Sequence, residues 1–408
     1  MREAIIDTGA ITANVRRLKT VAGVPEFIAV VKADGYGHGA LRSARAAIDG
    51  GATRVATADL EEAMALVRQG IREVPVLAWS HRPGPTLSVA AAHGIEIGVG
   101  SNEQLEAAAA AAGAGRPTRI HIQLETGPGR GGASLEDWPT LFTRARRLHE
   151  SGRIDVVGLF SHLSGASRQD DLGQVRAFDQ GVDIANLARL DPPLLHLAAT
   201  SAAIWLPEAR FNAVRVGLGI YGLSPTRDES SAPIGLRPAM TLRAPVVAVR
   251  RVGAHHGVSY DHTYRTSRST TLALVPLGYA DGIPRSASYE GAVTLHGRRY
   301  PLAGRIAMDQ LVIDVGDDAV RVGDVVTVFG DPARGAVSAD EWARAAGTIN
   351  YEIVTRIGAR VTRRSIGALQ DPARGRNRVT RPLAPSGTRR RGGPAVISAF
   401  PARPPGWS

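Results

Sequence analysis

Residues 26–33 read EFIAVVKA, residues 39–51 read GALRSARAAIDGG and residues 54–58 read RVATA. The first and third are short apolar runs rich in β-branched residues, and the second repeats its apolar residues at helical spacing. An apolar run without polar alternation describes a strand covered on both faces. A helix between two such strands is the crossover that parallel pairing requires. The same unit then recurs along the chain. Strand-like runs stand at 74–79 (VPVLAW), 95–99 (IEIGV), 119–126 (RIHIQLET), 155–162 (DVVGLFSH), 194–200 (LLHLAAT) and 214–222 (VRVGLGIYG). Helix-like segments such as LEEAMALVRQG (60–70), NEQLEAAAAAAG (102–113) and LEDWPTLFTRARRLHE (135–150) lie between them. Eight strands alternating with helices point to a (β/α)8 TIM-like barrel, with a doubly wound open sheet as the structural alternative.

Beyond about residue 236 the helical periodicity largely stops. TLRAPVVAVRRVG (241–253), STTLALVPLGYADG (269–282), AVTLHG (292–297), QLVIDVG (310–316) and DVVTVFG (324–330) read as strands joined by Gly and Asp turns. One helix, SADEWARAAG (338–347), interrupts them. The expected fold is therefore α/β: a barrel over 1–235 and a mostly β C-terminal domain over 236–365. The opening REAIID (2–7) is a candidate strand for the second domain.

Composition narrows the function classes. The 408-residue chain is long enough for two domains, and its 44% hydrophobic content fits a globular protein. No stretch approaches the roughly 20 apolar residues of a membrane helix. The start, MREAIIDTGAITANV, lacks an apolar core of signal-peptide length, so a cytoplasmic protein without a membrane partner is expected. With no cysteine, disulfides and thiolate chemistry are excluded. The net charge of +11 resembles a nucleic-acid signature until it is located: residues 366–408 carry eight arginines and one aspartate among many Pro and Gly. That segment reads as a disordered, solvated tail rather than a nucleic-acid arm.

Of 49 basic residues only two are lysine, Lys19 and Lys32. Lys19 sits in a helical surface pattern where arginine would serve equally. Lys32 ends an apolar strand, where a charge needs a reason. An amine can lose its proton and form a Schiff base, which a guanidinium cannot. A salt-bridged core lysine is the less favoured alternative. Other polar groups fall at the same ends of the strands, where barrels gather their catalytic groups. Arg130 follows the fifth strand, His162 ends the sixth, His196 and Thr200 lie on the seventh, and Arg215 with Gly217 lies on the eighth. A single strand histidine is usually a core residue, but this convergence marks a site. Gly127-Pro128-Gly129-Arg130-Gly131-Gly132 matches G-x-G-x-x-G, yet it follows four βα units and lacks the acidic residue a dinucleotide fold carries after its next strand. The histidines show no metal spacing, so no metal is expected.

Residues 29–39, AVVKADGYGHG, resemble the cofactor-lysine motif of the alanine racemase family. GPGRGG (127–132), LLHLAATSAA (194–203), FNAVRVGLGIYGLSP (211–225), GVSYDHTY (257–264), PLGYADG (276–282), AGRIAMDQ (303–310) and TINYEI (348–353) resemble further landmarks of that family in order. The resemblance implies pyridoxal 5′-phosphate as cofactor, bound to Lys32 as a Schiff base, and a small amino acid as substrate. It also implies a homodimer whose active sites are shared across the interface. Lys32 would be the base on one face of the substrate and Tyr260, from the other subunit, the base on the opposite face. Arg215 would face the pyridine nitrogen, with His162 and His196 in its hydrogen-bonded set. Tyr36, Thr200, Tyr351 and the backbone of Gly217 and Leu218 would hold the phosphate. Arg130 would meet the substrate carboxylate, Met308 would close the pocket and Tyr279 would stand near its entrance.

Gln123 departs from the family, which often has a carbamylated lysine orienting the arginine at the position of Arg130. A neutral glutamine could accept one hydrogen bond from Arg130, and weaker anchoring of the substrate carboxylate is expected. Asp261 replaces a usual glycine beside Tyr260, where an inward carboxylate would raise the tyrosine pKa. The leading function is interconversion of L- and D-alanine. A racemase of another small amino acid such as serine, and a cofactor-binding protein with little catalysis, are the alternatives.

Overall fold

Eight parallel strands close on themselves: β2 (Glu26–Val30), β3 (Arg54–Asp59), β4 (Val76–Ser80), β5 (Glu96–Val99), β6 (Thr118–Gln123), β7 (Ile154–Phe160), β8 (Leu194–His196) and β9 (Ala213–Val216), numbered after an opening strand β1 (Glu3–Asp7). Closure is the pairing of β9 with β2, in register from Glu26↔Ala213 to Ala29↔Val216. The computed structural model describes residues 2–226 and 231–367. The expected (β/α)8 barrel is thus the observed one, and the open sheet is set aside. The tail expected beyond residue 366 lies, from 368 on, outside the described residues.

Helices cover the barrel, and their starts are written locally. Asp59 caps the helix Leu60–Arg68 through the amide of Glu62 (2.8 Å). Ser101 caps Asn102–Ala110, and Ser167 caps Arg168–Leu187. Each cap satisfies an amide the helix leaves open and contributes about 1 kcal/mol. Every one follows the C-terminal end of a strand, so the caps also set the loops that ring the barrel mouth.

The remaining strands form the C-terminal β region: β10 (Met240–Pro245), β11 (Ala248–Val252), β12 (Gly257–Val258), β13 (Tyr264–Arg265), β14 (Thr270–Val275), β15 (Ala292–Leu295), β16 (Arg298–Pro301), β17 (Leu311–Gly316), β18 (Val325–Phe329) and β19 (Thr362–Ile366). One six-stranded sheet has the order β16-β15-β18-β10-β1-β19, and β11-β14-β17 form a second. β1 pairs antiparallel with β10 and parallel with β19, so both ends of the described chain are tied into one sheet. The main apolar core runs from Ile6 and Phe27 through Leu242 to Trp342 and Val361, and a small second cluster gathers Val252, Val258, Leu272 and Ala303. Trp138 and Trp342 are fully buried, each with its indole N–H on a backbone carbonyl (Ala133 at 2.8 Å, Val328 at 2.7 Å).

Three local readings are corrected. β8 stops at His196, and Thr200 opens the helix Thr200–Trp205 rather than ending a strand. Ser161-His162 and Gly217 lie just past their strands, not on them. The β region holds two helices, Ala339–Ala346 and Asn350–Thr355, where one was expected. The second is short and opens with no side-chain cap, which left it without a sequence signal. Among the described residues no helix is long and apolar enough to cross a membrane, and no group of three or more His, Asp or Glu could hold a metal ion.

Candidate active site

Lys32 stands two residues past β2, where the backbone turns left-handed. Ala33, Asp34, Gly35 and Tyr36 have φ of 51°, 51°, 63° and 52°. Only glycine adopts this conformation freely; each of the others costs on the order of 1 kcal/mol, so the turn must be held from outside. Glu62 accepts the amide of Ala33 (2.6 Å), Asp34 accepts that of Ala40 (2.9 Å), and Val31 accepts that of Gly35 (2.8 Å). The result is a fixed lysine whose amine lies 5.9 Å from the centroid of the Trp79 ring. Burial lowers its pKa, with Arg130 and Arg215 adding to the effect and Glu62 opposing it. A lowered pKa enlarges the neutral fraction, the form that attacks a carbonyl or takes a proton.

Arg215, on β9, is buried beneath the same cavity. It donates to the carbonyls of His196 and Ser161 (2.6 Å each), to His196 Nδ1 (3.0 Å) and to His162 Nδ1 (3.2 Å). Burial and the nearby Arg130 push its pKa down to about 9, which still leaves a cation at neutral pH. Both histidines are held neutral: burial, and then Arg215, bring His162 down to about 3 and His196 well below its ordinary value. Behind His196 stand His121 (2.9 Å) and then Glu96 (3.0 Å), and the Phe160 ring stacks on His196 at 5.1 Å. His121, Glu96 and Phe160 were not singled out from the sequence. Their signal was a polar residue inside each of two apolar strand runs, IEIGV and RIHIQ.

Tyr36, Thr200, Gly217, Leu218 and Tyr351 gather on another wall. The rings of Tyr36 and Tyr351 lie 6.0 Å apart. Burial raises both phenol pKa values, that of Tyr351 to about 12, so each hydroxyl keeps its proton and can donate. Gly217 admits Tyr36: a Cβ there would sit 2.3 Å from the Tyr36 hydroxyl. Together with Lys32, Arg130, His162 and Arg215 these residues line one cavity of about 1090 Å³ at the barrel mouth. Tyr351 comes from the β region, which closes one side.

Gln123 lines the cavity too, but its amide donates to the carbonyl of Gly131 (3.2 Å) instead of accepting from Arg130. The loop offers a carbonyl within reach, and a neutral amide takes it. Glu125 closes that loop by accepting the amides of Gly127 (2.6 Å) and Arg130 (3.1 Å).

Tyr260, Tyr279 and Met308 stand outside this cavity. They are 67%, 39% and 53% exposed. Their segments share hydrogen bonds: Ser259 Oγ donates to the Arg305 carbonyl (2.6 Å), and the amides of Tyr279 and Ala280 donate to the carbonyls of Ala307 (3.0 Å) and Met308 (2.9 Å). Asp261 is paired with Arg305 at 2.5 Å, so its carboxylate is committed to a cation.

Comparison with known proteins bears directly on this arrangement. The alanine racemase N-terminal domain matches residues 6–225 and the alanine racemase C-terminal domain matches residues 239–365. The chain belongs to the alanine racemase family. It is 49% identical over 368 residues to the alanine racemase of Frankia casuarinae, covering 89% of this chain and 96% of that one. It is 45% identical over 375 residues to that of Thermobifida fusca, covering 90% and 99%. Among solved structures, the alanine racemase of Streptomyces lavendulae superposes with a TM-score of 0.86 at 43% identity, covering 90% of this chain and 97% of that one. Alanine racemases are isomerases, and this chain is an enzyme of that class.

Pyridoxal 5′-phosphate is the cofactor of the family, and the residues present fit it. An amine of lowered pKa can hold its aldehyde carbon. Two protonated tyrosines and Thr200, with Tyr36 seated against Gly217, can hold its phosphate. A cavity of this size takes such a ligand with its substrate.

Proposed function

We propose that the protein interconverts L-alanine and D-alanine with pyridoxal 5′-phosphate, as a cytoplasmic homodimer in which Lys32 of one copy and Tyr260 of the other carry the proton on opposite faces of the substrate. The observation that carries this reading is a lysine of lowered pKa fixed at a barrel mouth among two arginines and two phenols, in a chain similar to alanine racemases from end to end of its described part.

When bound, the cofactor supplies an electron sink that makes the substrate's α-proton acidic. The protein's own residues do the rest. Tyr36, Thr200 and Tyr351, with the backbone of Gly217 and Leu218, would hold the phosphate. Arg215 would stand at the ring nitrogen as a permanent cation that donates and does not accept, and so would disfavour protonation there. Arg130 binds the substrate carboxylate, and with Arg215 and Lys32 it makes the cavity electropositive, matching an anionic ligand. Lys32 Nζ takes the α-proton from one face. The phenol of Tyr260 gives a proton to the other, and in reverse the roles exchange. Inversion needs this second carrier, and the exposure of Tyr260 supports its delivery to another copy's cavity. Met308 and Tyr279, on the same face, narrow the pocket to an alanine-sized side chain.

The test is α-proton exchange: the protein loaded with pyridoxal phosphate is given L-alanine in heavy water and followed by NMR and a chiral assay. Exchange accompanied by D-alanine is expected. Exchange without D-alanine would remove Tyr260 from the mechanism. Inertness toward alanine with turnover of serine would reassign the substrate, and inertness toward both would leave a cofactor-binding protein.

A further inference from the structure

The contacts beneath Arg215 do not stop at His196. His196 Nε2 lies 2.9 Å from His121 Nδ1, and His121 Nε2 lies 3.0 Å from Glu96 Oε2. Glu96 in turn accepts from Arg54 Nε (3.2 Å) and from Arg119 (2.7 Å), and Arg54 also meets Glu26. The line therefore runs from the barrel mouth to the opposite end, where β2, β3, β5 and β6 begin. Glu96, His121 and His196 are completely buried.

The two ends of this line have fixed polarity. Arg215 can only donate, so His196 Nδ1 must accept and the His196 proton must sit on Nε2. That proton points at His121 Nδ1, which must accept, leaving the His121 proton on Nε2. It then meets the carboxylate of Glu96, which can only accept. With both rings neutral, one arrangement of the two protons satisfies all three contacts, and the alternative sets donor against donor at Arg215. Burial does hold both rings neutral. Against the cost of burial, the hydrogen bond from His121, with Arg54 and Arg119 beside it, keeps the Glu96 carboxylate ionised.

We propose that Glu96 is a positioning residue: it fixes the His121 tautomer and, through His121 and His196, holds Arg215 where it faces the cofactor ring. The last step rests on the function proposed above; the tautomer assignment does not. Glu96 touches neither cofactor nor substrate. Its influence passes through two imidazoles, the second of them clamped in plane by Phe160, whose ring lies within 4° of parallel to it.

Replacing Glu96 by an apolar side chain of similar length removes the acceptor that orients the line. A carboxamide keeps an acceptor, because its oxygen can face Arg54 and His121 while Arg119, 41% exposed, turns to solvent. Glu96→Met and Glu96→Gln therefore separate polarity from packing.

The experiment is 15N NMR of the histidine-labelled, cofactor-loaded protein, read alongside kcat and KM for alanine. In the wild type both His121 and His196 are expected as the Nε2–H tautomer. Glu96→Met should mix the His121 tautomers while Arg215 keeps the His196 proton on Nε2, and lower kcat on the order of tenfold with KM little changed, the scale of losing an outer-shell orienting group. Glu96→Gln should keep the wild-type tautomers and most of kcat. An Nδ1–H signal on either ring of the wild type overturns the proposal, and it does so even if Glu96→Met fails to fold. An unchanged His121 tautomer in a folded Glu96→Met, or equal losses in both variants, overturns it as well. Absence of any α-proton exchange in the wild type would instead defeat the racemase reading and leave the tautomer result standing.

Discussion

Lys32 and Tyr260 both sit beside left-handed backbone, but the two turns are held in opposite ways. Ala33 to Tyr36 are braced by Glu62, Asp34 and the barrel itself, with Gly35 and Tyr36 buried. Ser259, Asp261 and His262 have φ of 57°, 59° and 47°, yet this turn is mostly exposed and is pinned chiefly by Arg305, through its carbonyl to Ser259 and its guanidinium to Asp261. Strain kept inside a core is sustained by packing; strain kept on a surface is unusual unless another surface covers it. The first turn completes a site within one chain, and the second presents an aromatic side chain outward. That contrast is the physical support for a site shared between two copies.

Removing each side should have a different effect. Lys32→Ala should lower racemisation by about 10³-fold or more and abolish α-proton exchange as well, because the barrel side loses both its proton carrier and its attachment point. Steady-state turnover with the NMR exchange assay would check this, and retained exchange would break the contrast. Tyr260→Phe should cost roughly 10²-fold in racemisation while exchange on the Lys32 face persists. Equal loss of exchange and inversion would mean that the exposed turn does not act alone on one face.

Acid should strain the barrel in particular. His38 is fully buried, stacks on Tyr221 at 4.5 Å, and is lowered by burial to about 4 from 6.5. His121 and His196 shift the same way. Unfolded, these rings bind protons more readily than folded, so their contribution to stability is whole above about pH 6.5 and declines as pH falls toward 4. Glu96, brought down to about 2, adds a loss that begins near pH 4.5 and runs toward pH 2. Thermal melts from pH 7.5 to 4 should show a falling Tm, whereas a flat profile would mean the folded barrel protonates these rings freely. The smallest effect is expected at Gln123. Gln123→Lys should lower KM for alanine a few-fold and leave cofactor binding alone, since the neutral amide bonds to Gly131 and brings no negative charge to Arg130. An unchanged KM would show that Arg130 needs no help from that position.

The barrel was legible because eight mostly apolar, β-branched runs alternate with helical segments, the pattern of a parallel sheet covered on both faces. Its strand ends were not. LLHLAAT is apolar throughout, and only three-dimensional pairing stops β8 at His196 and hands Thr200 to a helix. The site residues on one wall could be read from strand ends and from resemblance. The line below Arg215 could not, because it joins residues 25 and 75 positions apart, and a histidine inside a strand looks like any satisfied core residue. Likewise the sequence allowed Gln123 to accept from Arg130, whereas in the structure its amide donates to the Gly131 carbonyl on the loop.

The most direct test of the shared site is complementation. Lys32→Ala and Tyr260→Phe, each retaining about a hundredth of wild-type activity or less alone, would be mixed under conditions that let subunits exchange and assayed for D-alanine. A homodimer with crossed sites should recover activity toward about a quarter of wild type, since random pairing makes half the dimers mixed and gives each one intact site. Failure to recover any activity, with both variants folded and exchanging subunits, would contradict the account.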